Sequence, residues 1–179
     1  SEENNQGHTE LGVLGTIEYC GTISGNATWA YAVFVPTCSI SIPEAATLTV
    51  RSGAIVKPRG PFVIYVNGQL NGVGDPGAPV VFTSYRDDAW GGDTNSDGAA
   101  TLPAAQDWNA ISVEPGGRAS LSWARLRYGG SGYNGNLNNQ GATVLDHVLI
   151  ELGWRGLWSG SGTLTITDSR LSQNIWEGA

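Results

Sequence analysis

From Leu11 onward the apolar residues come in short alternating runs, and no stretch holds a period of 3.6. Thr47-Leu48-Thr49-Val50 is one run and Phe62-Val63-Ile64-Tyr65-Val66 a second. Val80-Val81-Phe82 is a third, and Trp108 to Val113 a fourth. Each is followed by turn residues: Ser52-Gly53, Asn67-Gly68, the loop after Ser84, and Pro115-Gly116-Gly117. Helix caps do not accompany any of them. The pattern predicts an all-β chain of short strands.

A repeat sharpens this expectation. Trp123-Ala124-Arg125-Leu126, Asp146-His147-Val148-Leu149 and Asp168-Ser169-Arg170-Leu171 align, with leucines 23 and then 22 residues apart. Gly153-Trp154-Arg155-Gly156 likewise matches Ile175-Trp176-Glu177-Gly178. A helix-free unit of about 22 residues suits one coil of a parallel β-solenoid, in which alternate residues point inward and pile into columns. The consensus of a leucine-rich repeat is missing. A sandwich would not explain leucines at a constant offset.

The run from Ala46 to Gly130 carries LTVRSGAIVKPRG, YVNGQLNGVGDPGAPVVFTSYRDDAWGGDTNSDG, DWNAISVEPGG and LRYGG. It resembles the right-handed parallel β-helix repeats of bacterial secreted and cell-surface proteins, which are pectate-lyase-like in fold. Residues 66–84 and 107–111 carry the motif most closely, and the similarity extends over about 40–179. The resemblance implies a right-handed parallel β-helix over residues 40–179, with an acidic insertion at 85–107. Residues 1–39 do not match the repeat and are expected to be a polar tail followed by an N-terminal cap.

Composition narrows the function. The chain has 179 residues, 40% hydrophobic and 14% charged, with 26 glycines and a net charge of −7. Lys57 is its single lysine and no basic cluster exists, which argues against nucleic acid and anionic membranes as partners. The longest apolar run, Ala27 to Pro36, is too short to span a bilayer. No signal-peptide pattern is present. With no methionine, even at position 1, the chain reads as cut from something longer. It also stops within a coil, so the reading is either a fragment or an end on which another subunit stacks.

Cys20 and Cys38 form an even pair in an acidic, lysine-poor chain, which suggests a disulfide in the cap and an oxidising, extracellular or cell-surface location. Two buried free thiols are the alternative. Asn26-Ala27-Thr28 matches a glycosylation sequon.

The chemistry concentrates in the insertion. It holds Asp87, Asp88, Asp93, Asp97 and Asp107, and Asp93-Thr94-Asn95-Ser96-Asp97-Gly98 matches the first half of a calcium loop. A full calcium loop needs Glu at position 104, which is Ala104. The expected ligands are therefore Asp93, Asn95 and Asp97, completed by Asp107, by Asp87 or Asp88, or by carbonyls, around a structural Ca²⁺. The plain alternative is a hydrated Asp-Gly turn.

A polysaccharide lyase needs calcium and a Lys or Arg base beside it. The candidates are Lys57, Arg86, Arg125 and Arg170, with Val148 expected to interrupt the last two. Trp154 and Trp176, one coil apart, are expected to stack as an aromatic ladder, for packing or subunit contact rather than for sugar binding. Gly130 to Gly135 spells G-x-G-x-x-G without a βαβ context and reads as a loop. His147 and His8 are isolated, so nucleophilic catalysis has no support.

The reading is a non-catalytic structural or adhesive β-helix module of a bacterial surface or filamentous assembly. Its expected partners are further copies or neighbouring surface subunits. The alternative is a carbohydrate-binding or polysaccharide-degrading protein, which would gather Asp, Arg and aromatic side chains in one groove.

Overall fold

The structure is a computed structural model that describes residues 15–176; the tail to residue 14, including His8, and residues 177–179 lie outside it. It is a parallel β-solenoid of about seven turns, with coils about 23 residues apart and a β-strand at almost every alternating run. Three stacks of strands make its faces.

The first stack is β2 (Asn26–Trp29), β4 (Thr47–Arg51), β7 (Gln69–Val73), β10 (Arg118–Ser122), β13 (Ala142–Asp146) and β16 (Thr163–Thr167). The other two share the long strand β3 (Val33–Ile42). Its first half pairs with β5 (Ile55–Val56), then β8 (Val80–Phe82), β11 (Ala124–Arg127), β14 (Leu149–Glu151) and β17 (Arg170–Ser172). Its second half pairs with β6 (Val63–Val66), then β9 (Ala110–Val113), β12 (Leu137–Asn139) and β15 (Leu157–Ser159). The remaining strand, β1 (Thr16–Thr22), runs parallel along β3.

Inward residues form columns, as period-2 alternation dictates. Phe34, Val56, Phe82, Leu126, Ile150 and Leu171 occupy one register line of the second stack. Ile40, Ile64, Ile111, Leu137 and Leu157 occupy one in the third. In the first, Trp29, Val50, Gly72, Leu121 and Leu145 lead to Ile166. Gly72 is the small member because a Cβ there would come within 2.7 Å of Leu121 Cδ2. Each fully buried aliphatic side chain contributes about 1.5–3 kcal/mol. The columns lose their cover at the last coil, where Ile166 and Leu171 are each 43% exposed.

The spacing-based alignment of leucines is off by one residue. Leu126 pairs with Ile150, and Ile150 with Leu171, while Leu149 stands between Arg125 and Arg170. So it is Leu149, not Val148, that separates those two arginines. Val148 is turned into the core. Successive coils are offset by 24 residues (Ser122 to Asp146, Arg125 to Leu149) and then by 21 (Asp146 to Thr167, Leu149 to Arg170), on both sides of the equivalent corners between the first and second stacks. There Trp123, His147 and Asp168 adopt left-handed backbone, with φ of 47°, 54° and 46°.

Cys20 and Cys38 form a disulfide that ties β1 to β3. Within the segment expected as a cap, β2 already pairs in register with β4, and β3 runs across residue 40. Near the other end, buried asparagines replace apolar side chains. Asn136 Oδ1 accepts from the Gly129 amide at 2.7 Å, and Asn174 Oδ1 from the Gly153 amide at 3.0 Å. Gly153 makes room, because a Cβ there would come within 2.1 Å of Asn136 Nδ2. Among the described residues no helix is long and apolar enough to cross a membrane.

Candidate functional site: an acidic insertion clamped onto the solenoid

The insertion leaves the coil after β8 and rejoins it at β9. Its first part packs back onto the solenoid, whereas residues 98–102 are exposed. Outward-facing Val33, Val35, Ile55 and Val81 form a second, smaller apolar cluster, and Tyr85 and Trp90 of the insertion roof it. Gly91 lies so close that a Cβ would approach Val33 Cγ2 to 2.7 Å; its φ of 73° also demands glycine.

Lys57 is the main anchor, and spacing alone does not reveal it. The side chain is completely buried. Its ammonium donates to the carbonyls of Asp87 (3.0 Å), Trp90 (3.2 Å) and Gly92 (3.1 Å) and to the hydroxyl of Thr94 (2.7 Å). A buried charge is tolerated only when its hydrogen-bonding capacity is met, and the bent insertion meets it. Burial pushes the Lys57 ammonium below the usual lysine range, and the carboxylates of Asp87, Asp88 and Asp93 act against that shift.

Other cations complete the clamp. Arg127 Nη1 donates to Asp87 Oδ2 at 2.7 Å, and its Nε lies 2.9 Å from Glu151 Oε1 as an off-axis ion pair. Arg125 places its guanidinium 5.5 Å from the centre of the Trp90 ring, and Arg59 lies 5.0 Å from that of Tyr85. Arg86 donates to Asp107 at 3.0 Å. Thus Lys57, Arg86 and Arg125, three of the four basic residues weighed as catalytic bases, bind the insertion itself. Arg170 lies on the edge strand β17.

The six expected ligands divide. Asp87 also accepts from Thr83 Oγ1 at 2.5 Å, and Asp107 accepts from Ser84 Oγ at 2.6 Å and the Ala104 amide at 2.9 Å. Both are engaged in the clamp. Asp88, Asp93 and Asp97 instead converge, each offering a carboxylate oxygen within 4.8 Å of the others. Asp93 also caps the turn, accepting from the amides of Asp97 (3.1 Å) and Gly98 (2.9 Å). Asn95 joins through Nδ2, which donates to Asp97 Oδ2 at 2.8 Å.

Three oxygens here, Asp88 Oδ1, Asn95 Oδ1 and Asp97 Oδ1, are shielded from solvent and have no hydrogen-bond donor. Buried acceptors without partners are costly, and an all-oxygen, anionic set suits a hard divalent cation. Asp88, Asp93 and Asp97, with Asn95 beside them, could therefore hold a metal ion of that class. Beside it runs a groove of about 650 Å³ whose lining includes Arg59, Tyr85, Arg86, Asn95, Asp97 and Asp107.

Elsewhere, Trp154 and Trp176 are one register step apart: Trp176 bridges to Arg155, and its amide donates to the Trp154 carbonyl at 2.7 Å. His147 stacks on Trp123, with ring centres 4.1 Å apart, and is 3.0 Å from Asp146. Asp168 closes that group at the solenoid corner.

Comparison of the chain with protein-family models, with curated proteins and with solved structures gives no match.

Proposed function

We propose that this chain is a non-catalytic, extracellular structural or adhesive β-helix module, whose insertion is stiffened by Ca²⁺ held by Asp88, Asp93, Asn95 and Asp97. The observation that carries this reading is the placement of Lys57. The one lysine, the natural candidate for a base, is completely buried and its donors are taken by loop carbonyls. Arg86, Arg125 and Arg127 serve the same clamp. The disulfide supports an oxidising location. Among the described residues β16 and β17 are the outer strands of their stacks, and a further layer of strands, from a continuation of this chain or from another subunit, would cover Ile166 and Leu171.

The test is electron microscopy of the purified protein with calcium and with a chelator, alongside calcium titration by calorimetry. Regular end-to-end oligomers and stoichiometric calcium binding support the module. Discrete monomers without calcium binding overturn both parts.

A polysaccharide-cleaving reading has one observation in its favour: Arg59, Arg86, Asp97 and Asp107 line a single groove beside the acidic cluster. Release of unsaturated product from polygalacturonate in the presence of calcium would establish it.

A further inference from the structure

A separate groove lies on the third face of the solenoid, away from the insertion. Its floor is a line of outward residues on adjacent strands, in which Ser112, Asn138 and Trp158 pair in successive rungs. Its volume is about 410 Å³, within the roughly 300–1,000 Å³ usual for small-ligand sites. Tyr133 and Trp158 line it with Gln140 and Arg155.

Both aromatic rings are open, and the backbone that carries Tyr133 is held in place. Tyr133 is 88% exposed and Trp158 38%. Large exposed rings are usually found on mobile loops, yet the loop bearing Tyr133 is pinned from neighbouring coils. Trp154 Nε1 donates to the Gly132 carbonyl at 2.9 Å, and Arg155 Nη1 to the Tyr133 carbonyl at 3.1 Å. Ser131 Oγ and Asn134 Nδ2 both donate to Asn109 Oδ1, at 2.8 and 3.2 Å. Asn138 Nδ2 donates to Asn134 Oδ1 at 3.1 Å. On such a pinned backbone a ligand has only the side-chain torsions of the ring to order, not the loop.

The chemistry of the lining selects the ligand class. Apart from Arg155 it consists of amides, a hydroxyl and two aromatic rings, with no carboxylate. Side-chain amides both donate and accept, and Asn138 retains capacity beyond the bonds it makes here. Alternating donors and acceptors between open rings suit a ligand with apolar C–H faces and a rim of hydroxyls. An added peptide strand is disfavoured, because β12 is already paired on both sides by β9 and β15. The chain's net charge of −7 and the single cation disfavour nucleic acid.

We infer that this groove binds a neutral oligosaccharide, with its sugar rings against Tyr133 and Trp158 and its hydroxyls on Asn138, Gln140 and Arg155. The inference stands independently of the calcium loop.

The test is titration of the full chain with cellohexaose, xylohexaose and mannohexaose, read by tryptophan fluorescence and by NMR, with calcium and with a chelator. Saturable binding of at least one sugar is expected in both conditions. Tyr133→Ala and Trp158→Ala should each weaken it by roughly tenfold. Tyr133→Ala leaves the fold intact because its ring packs on nothing. Absence of saturation with all three sugars overturns the inference. So does binding that survives both substitutions, or binding that vanishes on chelation, which would assign the sugar to the groove beside Asp97.

Discussion

The Lys57 ammonium stands 2.7 Å from the hydroxyl of Thr94, 37 positions further along the chain. One hydrogen bond thus joins the residue that follows β5 to the start of the D-x-N-x-D-G turn. The solenoid supplies the insertion with a tethered cation at its root, and the insertion leaves Asp88, Asp93 and Asp97 to face one another above it.

Replacing Lys57 by Met removes that cation and orphans three loop carbonyls. The expected loss is about 3 kcal/mol or more, a fall in melting temperature of roughly 6–12 °C. Cleavage by a protease within 91–101 should accelerate. An unchanged melting point with an uncut loop would show that the clamp is dispensable.

The same residue sets a pH dependence. An unfolded chain keeps the Lys57 proton up to about pH 10.5, whereas burial makes the folded state release it earlier. Between the lowered folded value and 10.5 the unfolded state binds more protons, so this contribution to stability rises with pH. Urea unfolding of wild type and Lys57→Met across the alkaline range should show wild type gaining on the variant as pH climbs. Parallel curves would contradict the assigned shift.

Calcium at one hundred times its dissociation constant should stabilise the protein by about 2.7 kcal/mol. Asp88→Asn and Asp97→Asn should abolish the effect in calorimetry. Asp107→Asn should keep it, because that carboxylate serves Arg86, Ser84 and Ala104 instead. Equal loss in all three variants would mean that the ion, if bound, uses a wider set of ligands.

Removing the disulfide by the paired change Cys20→Ala and Cys38→Ala should cost about 3 kcal/mol. Hydrogen exchange should quicken along β1 and β2 before it does along β10 or β13. Uniform loss of protection would show that the first coil is not an independent weak point.

Gly72→Val tests the packing of the first stack. Its Cβ would press on Leu121, and the expected destabilisation is about 1–3 kcal/mol. A neutral outcome in chemical denaturation would mean that Leu121 repacks without cost.

Strands such as Thr47–Arg51 and Val80–Phe82 were legible because alternation and turn residues are local properties. The parallel stacking was legible from the recurring blocks. The register was not, because coil length is set by loops that leave no periodic trace: nine residues join β11 to β12, whereas five join β14 to β15. The resulting offset of 21 rather than 22 sets Arg155, not Trp154, opposite Trp176.

In the insertion, the sequence alone determined that oxygen ligands alternate around a sharp turn at Gly98, since that spacing is a property of a few consecutive residues. Only the tertiary structure decided which carboxylates remain free for a cation. Asp87 and Asp107 are neutralised by Arg127 and Arg86, while Asp88, Asp93 and Asp97 are left together. The reason is that a charge pairs with what lies near it in space, and Lys57 and Arg127 reach the loop from other coils.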